Sequence, residues 1–226
     1  NSYRISIGKF GEIIKLIKSK KSKKVLFAGK IAKPNFSSLK LDLKGIYYMP
    51  SVIRASKIGD AAVIKSIINI LAKEGVKVIS SIFFNPELSL KKGNYTKTKP
   101  TKSDVCSIQK AKNYFNKNNS LDHIQALVVK DNKIIAIEGK QGTKKMLSKL
   151  KKNSNGILIK FPKIKQDLRI DLPTVGLQTF KDIKKYGCKG LVLKSKRNVF
   201  LDKNKVISFA NKNKIFIKVI WKKFLY

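Results

Sequence analysis

Apolar residues near the start of the chain recur at helical spacing and are followed by a short apolar run. The stretch KFGEIIKLIK (9–18) carries four apolar residues that fall on one face of a helix. The stretch KKVLFAGK (23–30) then predicts a short buried strand that runs into a Gly-Lys turn. The first part of the chain therefore predicts a helix followed by a strand.

The same order of elements is repeated further along. Asp60 can cap a helix whose apolar stripe ends before Gly75, and the β-branched and aromatic run VKVISSIFF (76–84) predicts a strand. Helices alternating with strands indicate an α/β fold with mainly parallel strands. Such folds bind their ligands at the carboxyl ends of the strands.

Apolar periodicity stops between Pro86 and Pro100, which predicts a linker. Thr101 followed by Asp104 then resembles the start of a connecting helix. We therefore predict two α/β domains joined by a linker: an N-terminal Rossmann-like domain over 1–89, a linker and connecting helix over 90–118, and a C-terminal catalytic domain over 119–226.

The C-terminal domain is predicted to open with a hairpin. QALVVKDNKIIAIEG (125–139) places two apolar strands around a Lys-Asp-Asn-Lys turn. A short helix from Thr143, a strand over 156–161 and a helix near 179–186 follow, before a closing α/β stretch that ends in KIFIKVIW.

The charge of the chain is strongly positive. It has 51 basic against 13 acidic residues, a formal net charge of +38, and 47 of the basic residues are lysines. This excess has three explanations: background composition of an A- and T-rich genome, an anionic membrane surface or phosphorylated substrate, or nucleic acid. Since sequence-specific nucleic-acid readers rely on arginine, specific nucleic-acid binding is disfavoured.

Cysteine, histidine and hydropathy exclude several classes of protein. Cys106 and Cys188 lie far apart and outside any CxxC spacing, which argues against a disulfide framework and predicts a cytoplasmic protein. His123 is the single histidine, so a zinc site built from several histidines is excluded. No apolar stretch is long enough to cross a membrane.

The segment QDLRIDLPTVG (166–176) is the first candidate for chemistry. Asp167 and Asp171 lie in a predicted loop, and Lys160, Lys163 and Arg169 are close to them in the sequence. Mg²⁺ takes one or two carboxylates and completes its shell with water and phosphate oxygens, so this composition suits phosphate chemistry. The alternative is that the aspartates only balance these cations or cap a turn.

The segment IEGKQGT (137–143) is the second candidate. Glu138 leaves a strand, and Gly142 and Thr143 open a helix. Backbone amides at such a turn can hold a phosphate, and Glu138 can act as a metal ligand or a base. The pattern also occurs at turns that bind no ligand.

A larger pattern joins these segments. FAGKIAKPNF, DLKG, IGDAAVIKSI, QALVVKDNKIIAIEGKQGT, KFPKIKQDLRIDLPTVGLQTF and GLVLKSKRNVFLD occur in this order. In order and spacing they resemble the LpxI-type UDP-2,3-diacylglucosamine pyrophosphatases over almost the whole chain. The resemblance implies a Mg²⁺-dependent hydrolase of lipid A biosynthesis in Gram-negative bacteria. Such an enzyme releases UMP and 2,3-diacylglucosamine 1-phosphate from a ligand held between two α/β domains.

The resemblance also implies which residues form the site. Asp171 and Asp167 are the catalytic candidates, and with Glu138 they are the candidate ligands of Mg²⁺. The candidate substrate-binding residues are Gln125, Gly142, Thr143, Lys160, Lys163, Arg169 and Thr174.

Partners and location follow from the same resemblance. The expected substrate is a lipid-linked sugar nucleotide, and the lysine-rich surface would hold a cytoplasmic enzyme peripherally at the anionic inner face of the inner membrane. No specific nucleic acid is expected, and a homo-oligomer is left open. A non-enzymatic basic protein that binds nucleic acid or anionic lipid is the alternative.

Two departures from the family pattern carry expectations of their own. Family members begin with a strand and a Gly-rich turn upstream of Asn1, so the first domain is expected to be incomplete and this chain by itself inactive. Ala61 after Asp60 and Lys144 after Thr143 stand where the family tends to have acids. A metal site that depends on a carboxylate at position 61 or 144 is therefore not expected in this chain.

Overall fold

The chain consists of two compact units. The computed structural model describes residues 2–29, 35–118, 124–139, 141–151, 153–162 and 167–221. Unit 1 comprises Asn1–Phe83 and unit 2 comprises Phe84–Tyr226. Each has its own helices and sheet, as the sequence predicts. The ligand cleft between two domains stays a prediction.

Unit 1 is mainly helical. Its elements are α1 (Phe10–Ser19), β1 (Lys24–Val25), α2 (Leu43–Ile58), α3 (Asp60–Lys73), β2 (Lys77–Val78) and α4 (Ser81–Phe84), which ends at the boundary with unit 2. The two short strands pair in parallel, with Lys24 opposite Lys77 and Val25 opposite Val78. The helix–strand order predicted for this part of the chain is therefore present.

The predicted strand over 76–84 is mostly wrong. Only Lys77–Val78 is a strand, and Ser81–Phe84 forms a short helix. The apolar, β-branched composition favours a strand, but backbone groups need a partner, and β1 offers only two residues for pairing. The end of α3 is as predicted, because Gly75 has a φ of 79° and closes the helix.

Glu74 joins the helices of unit 1. Its carboxylate accepts hydrogen bonds from Lys18 at 3.2 Å, from the Tyr48 hydroxyl at 2.9 Å and from Lys44. The Lys44 ammonium lowers the pKa of Glu74 to about 2, against the opposing effect of burial, with further lowering by Tyr48 and Lys18. This carboxylate therefore links the C-terminal end of α3 to α1 and α2.

Helix α2 is an element that the sequence patterns do not predict. Asp42 caps it by accepting the Gly45 amide at 2.7 Å, and Pro50 lies in its interior. Proline in a helix interior removes a hydrogen bond and disfavours a helix, although the apolar residues of α2 recur at helical spacing.

Unit 2 is an α/β unit around one mixed sheet. Its elements are β3 (Gly93–Asn94), α5 (Lys102–Lys117), β4 (Ala126–Lys130), β5 (Lys133–Ile137), α6 (Gly142–Ser148), β6 (Ile157–Lys160), β7 (Thr174–Val175), α7 (Leu177–Lys185), β8 (Gly190–Lys194), β9 (Val199–Phe200), α8 (Lys203–Lys212) and β10 (Phe216–Ile220). The sheet has the order β3-β10-β8-β6-β4-β5, and β7 pairs with β9 separately.

Helices cover both faces of this sheet. On one face Phe180 and Ile183 of α7 and Val206 of α8 pack with side chains of β8 and β10. On the other face Ile108 and Ala111 of α5 pack against β4, β6 and β8. The result is a three-layered unit with an apolar cluster on each face of the sheet.

The expectation of mainly parallel strands holds only for half of the sheet. Strands β6, β8 and β10 are parallel, whereas β4, β5 and β3 run antiparallel to their neighbours. The hairpin of β4 and β5 is the reason, and it is the element that the sequence predicts best. Asp131 and Asn132 both have positive φ, 45° and 57°, as a two-residue hairpin turn requires.

The structure places the predicted linker and connecting helix, residues 90–118, in unit 2. Strand β3 pairs with β10, and the Ile217 amide donates to the Thr96 hydroxyl at 2.8 Å. Asn198, which is fully buried, accepts the Leu90 amide at 3.1 Å. Residues 86–100 lack apolar periodicity, and backbone pairing and polar side chains help to attach them to the sheet. Helix α5, in contrast, packs on the sheet through Ile108 and Ala111.

None of the helices described in the structure is long and apolar enough to span a bilayer.

Close packing in the sheet leads to the first prediction. A Cβ on Gly190 of β8 would overlap the ring of Phe216, which lies opposite it on β10. We expect Gly190→Ala to lower the free energy of unfolding by about 2 kcal/mol, measured by urea denaturation. Gly176→Ala is the control, because its Cβ would meet only Leu201 at an ordinary 3.6 Å. Equal stability of the two variants would contradict this packing.

Asp104 connects α5 to the sheet. Its carboxylate accepts the Thr101 amide at 3.0 Å while the Thr101 hydroxyl accepts the Asp104 amide at 3.2 Å. The predicted helix start is therefore confirmed, and it has the form of a capping box. Lys189 contributes an ion pair at 2.7 Å. Burial raises the pKa of Asp104, but the hydrogen bonds from Lys189 and Thr101 outweigh burial and the net pKa is lowered.

A second prediction follows for the pH dependence of stability. A carboxyl with a lowered folded-state pKa stabilises the protein above its ordinary pKa of 3.8, and this contribution is lost as pH falls through the folded-state value. We expect Asp104→Ala to cost about 1–2 kcal/mol at neutral pH, and we expect the cost to shrink below pH 3.8. Thr101→Ser, which keeps the capping hydroxyl, is the control. A cost independent of pH would rule out the charged pairing as its source.

Candidate functional site

Three sequence-predicted residues meet at one end of the sheet of unit 2. Strands β5 and β6 both run antiparallel to β4, so their carboxyl ends lie beside the beginning of β4. Glu138 follows β5, Lys160 ends β6 and pairs with Ala126, and Gln125 precedes β4. Backbone bonds from Glu138 to Ala126 (2.9 Å) and from Phe161 to Gln125 (3.0 Å) hold these ends together.

The Glu138 carboxylate is buried and fixed by two donors. Its side chain accepts the Thr143 hydroxyl at 2.5 Å and the Gln125 backbone amide at 3.1 Å, one on each oxygen. Only 7% of Glu138 is exposed. Buried carboxylates need such donors, so the position of this negative charge is set by the sheet end and by the beginning of α6.

Gly142 makes that arrangement possible. It is the first residue of α6, its φ is 81°, and its amide donates to the Gly139 carbonyl at 3.0 Å. A side chain at this φ would be strained, although the space around the position is open. The glycine therefore brings Thr143 back toward Glu138.

The ammonium of Lys160 is the cation at the centre of the site. The side chain is half-buried, and its Nζ donates to the Thr174 carbonyl at 3.4 Å. Burial lowers the pKa of Lys160, while the negative charges of Glu138 and Asp171 raise it. Lys160 thus lies within electrostatic reach of one buried and one exposed carboxylate.

The loop that carries Asp167 is organised around an ion pair. The Arg169 guanidinium donates to both Asp167 oxygens, from Nε at 2.9 and 3.2 Å and from Nη2 at 2.6 Å. The Asp167 carbonyl accepts the amides of Ile170 and Asp171, at 3.1 and 3.0 Å. The Asp167 pairing raises the pKa of Arg169. This carboxylate therefore orients Arg169 and shapes the loop.

Asp171 is presented differently from Asp167. Its side chain is exposed, and it is followed by the buried residues Leu172 and Pro173 before β7. The Pro173 carbonyl accepts the Val199 amide at 3.0 Å, which anchors the loop to β9. Asp171 is thus an accessible carboxylate on an anchored backbone, near Lys160.

The structure brings most of the predicted site residues together. Direct bonds or charge interactions connect Gln125, Glu138, Thr143, Lys160, Asp171 and Thr174. Asp167 and Arg169 pair with each other in the adjoining loop. Lys163 lies outside the described residues.

One cation at this end of the sheet was missed by the sequence analysis. Lys194 ends β8, next to β6, and its Nζ lies 5.0 Å from the centre of the Phe161 ring. It lies on the face opposite to Lys160, because Leu193 is the residue paired with Lys160. The signal was available, since a lysine directly after the apolar run GLVL marks the carboxyl end of a strand.

Asp171 is the most exposed of the three candidate Mg²⁺ ligands. Among the described residues, no three His, Cys, Asp or Glu side chains form a metal site, so Asp171, Asp167 and Glu138 are not gathered into one cluster. Asp167 pairs with Arg169, and both Glu138 oxygens have donors. Asp171 can supply one carboxylate, which suits Mg²⁺ when waters and phosphates complete the shell.

Fold and site together define an α/β protein with lysine, arginine and carboxylate side chains grouped at one end of the sheet of unit 2. The N-terminal domain of LpxI matches residues 1–88 and the C-terminal domain of LpxI matches residues 91–218. The UDP-2,3-diacylglucosamine pyrophosphatase LpxI of Caulobacter vibrioides is 30% identical, over 94% of this chain and 80% of that protein. The chain belongs to the LpxI family.

A third prediction concerns the charge of Lys160. Removing a nearby negative charge destabilises the ammonium, so Glu138→Gln and Asp171→Asn are each expected to lower the pKa of Lys160 further. NMR titration of the Lys160 side chain measures this shift. Asp182→Asn, on α7, is the control, because the Asp182 carboxylate does not act on Lys160 and its loss should leave the Lys160 pKa unchanged. An unchanged pKa in both site variants would contradict the proximity of these charges.

Proposed function

We propose that this protein hydrolyses the pyrophosphate bond of UDP-2,3-diacylglucosamine and releases UMP and 2,3-diacylglucosamine 1-phosphate in lipid A biosynthesis. The observation that carries the proposal is the match to both LpxI domains, together with a relative that is named for this activity. The site of unit 2 supports it, because Glu138, Lys160 and Asp171 lie close together there and belong to two of the segments that resemble the family.

Lys160 is suited to neutralise charge on the pyrophosphate. Hydrolysis moves negative charge onto the leaving phosphate, and a cation fixed nearby stabilises that charge more strongly when water is partly excluded. Burial provides this exclusion and lowers the pKa of Lys160, while the negative charges of Glu138 and Asp171 act in the opposite direction and favour the ammonium form. We assign Lys160 to the phosphates of the substrate.

Glu138 interacts electrostatically with Lys160, and Thr143 fixes the Glu138 carboxylate. The Thr143 hydroxyl and the Gln125 amide fix the Glu138 carboxylate, so its charge cannot turn away from Lys160. Glu138 is therefore a positioning residue in this proposal. Gln125, Gly142 and Thr143 hold the loop in which it lies.

Arg169, which is paired with Asp167, is a second candidate for contact with the phosphates. Pairing with Asp167 engages Nε and Nη2 of the guanidinium and sets the plane of the remaining donors. A planar guanidinium of fixed orientation recognises phosphate oxygens well. We assign Arg169 to substrate binding, with Lys163 and Thr174 as further candidates.

Asp171 is the leading catalytic carboxylate. Its exposed side chain can accept the proton of an attacking water or bind a cation next to Lys160. We propose that Asp171 and the substrate phosphates hold Mg²⁺. When bound, Mg²⁺ would polarise a phosphoryl oxygen and neutralise its developing charge.

We further propose that the enzyme works on the cytoplasmic face of the inner membrane of a Gram-negative cell as a peripheral protein. The substrate carries two acyl chains, so it is found in a membrane. A net charge of +38 supports attraction to anionic lipids.

A fourth prediction tests the catalytic assignment. In the full-length protein, Asp171→Asn should reduce Mg²⁺-dependent release of UMP from UDP-2,3-diacylglucosamine by about 100-fold or more, because a proton acceptor or metal ligand is lost. Asp182→Asn, in unit 2 but outside the site, should retain the activity. Thermal unfolding of both variants shows whether the fold is kept.

Two results would count against the proposal. Full activity of a folded Asp171→Asn protein would remove this carboxylate from the reaction. No UMP release from the folded full-length protein would reject the pyrophosphatase itself and favour the non-enzymatic basic protein, whose affinity for polyanions would fall steeply with salt.

A further inference from the structure

Helix α2 of unit 1 presents an apolar stripe to the solvent. The residues on its outer side are Leu43, Ile46, Tyr47, Pro50, Ile53, Arg54, Lys57 and Ile58. They recur at helical spacing along 16 residues, a length of about 24 Å. Several are highly exposed, with Leu43 at 86%, Tyr47 at 76% and Ile58 at 82%. A surface helix normally shows polar residues on this side.

The inner side of α2 is already packed. Gly45 and Ala55 are buried, and the Tyr48 ring contacts the ring of Phe10 of α1 with centroids 5.8 Å apart. The Tyr48 hydroxyl is bound to Glu74. The exposed stripe is therefore a second apolar face, and the packing of unit 1 does not require it.

The positive charge on and around the stripe favours an anionic partner. Arg54 and Lys57 lie on the stripe itself, and α2 contains no acidic residue. Unit 1 has 17 basic and four acidic residues. Among these acids, Glu12 pairs with Lys9, Asp42 caps α2, and Glu74 binds two lysines. An apolar face with cations fits a partner that is both apolar and anionic.

We propose that the stripe of α2 is a docking surface for an anionic lipid bilayer. Helices that lie in a membrane interface combine an apolar face with lysine or arginine, and a tyrosine places its ring at the headgroup level. A second copy of the chain fits less well. A two-fold interface would bring Arg54 and Lys57 of both copies into one apolar contact without an acid from either stripe.

The reason for membrane docking rests on the proposed function, since an enzyme that acts on a diacylated substrate has to reach the membrane. Parallel contact of α2 with the bilayer would keep unit 1 at the lipid surface. Binding to lipid vesicles does not require turnover, so docking and catalysis can fail independently in the tests.

The fifth prediction uses apolar substitutions. Ile46→Ser combined with Tyr47→Ser should weaken binding to vesicles of phosphatidylcholine and phosphatidylglycerol by about tenfold or more, measured by co-sedimentation. Both side chains are more than half exposed, so the fold should be kept. Tyr3→Ser combined with Ile7→Ser removes two other exposed apolar side chains of unit 1 and should leave the affinity unchanged.

Charge substitutions form the second arm of the same experiment. Arg54→Glu combined with Lys57→Glu should abolish the preference for these vesicles over pure phosphatidylcholine. Lys65→Glu combined with Lys73→Glu, on α3, makes the same change in net charge and should retain most of the preference. Circular dichroism melting confirms that each variant is folded.

The outcomes separate the alternatives. Loss of vesicle binding in the stripe variants, with both controls intact, supports the docking surface even if UMP release is absent. Parental vesicle binding in the stripe variants overturns it, and so does failure of the parent to bind anionic vesicles. Conversion of a dimer to a monomer by the stripe substitutions, with vesicle binding unchanged, would assign the stripe to a second copy instead.

Discussion

The antiparallel pairing of β4 with both β5 and β6 is the constraint on which the site of unit 2 depends. Residues 126–129 of β4 are completely buried, so the strand cannot shift without moving its apolar side chains out of the core. Its register places Ala126 opposite Lys160 and Leu127 opposite Ile137. Glu138 and Lys160, which are 22 residues apart in the sequence, are thereby brought to one end of the sheet.

A buried carboxylate next to a half-buried ammonium is costly unless each has partners. Here Glu138 has the Thr143 hydroxyl and the Gln125 amide, and Lys160 has the Thr174 carbonyl and two negative charges. The polar groups therefore form a fixed arrangement before any substrate arrives. Preorganised charge of this kind is what phosphate chemistry requires, because it needs no rearrangement as the charge on the phosphate moves.

The two units express the positive charge of the chain in different ways. In unit 2 several cations have defined partners: Lys160 donates to the Thr174 carbonyl, Arg169 pairs with Asp167, and Lys189 pairs with Asp104. In unit 1 the excess is spread over the surface, and α2 adds exposed apolar side chains to it. A lipid-linked substrate has a phosphorylated head and acyl chains, and the proposed roles of the two units correspond to these two parts.

Local patterns in the sequence determined the hairpin, the capping box of α5, the end of α3 and the segments that identify the family, because each depends on neighbouring residues. The mixed sheet, helix α2 and the place of residues 90–118 were decided by tertiary contacts, since strand direction and side-chain attachment depend on distant partners. The same holds for the aspartates. Spacing alone made Asp167 and Asp171 equivalent, and only the folded loop turns one toward Arg169 and exposes the other beside Lys160.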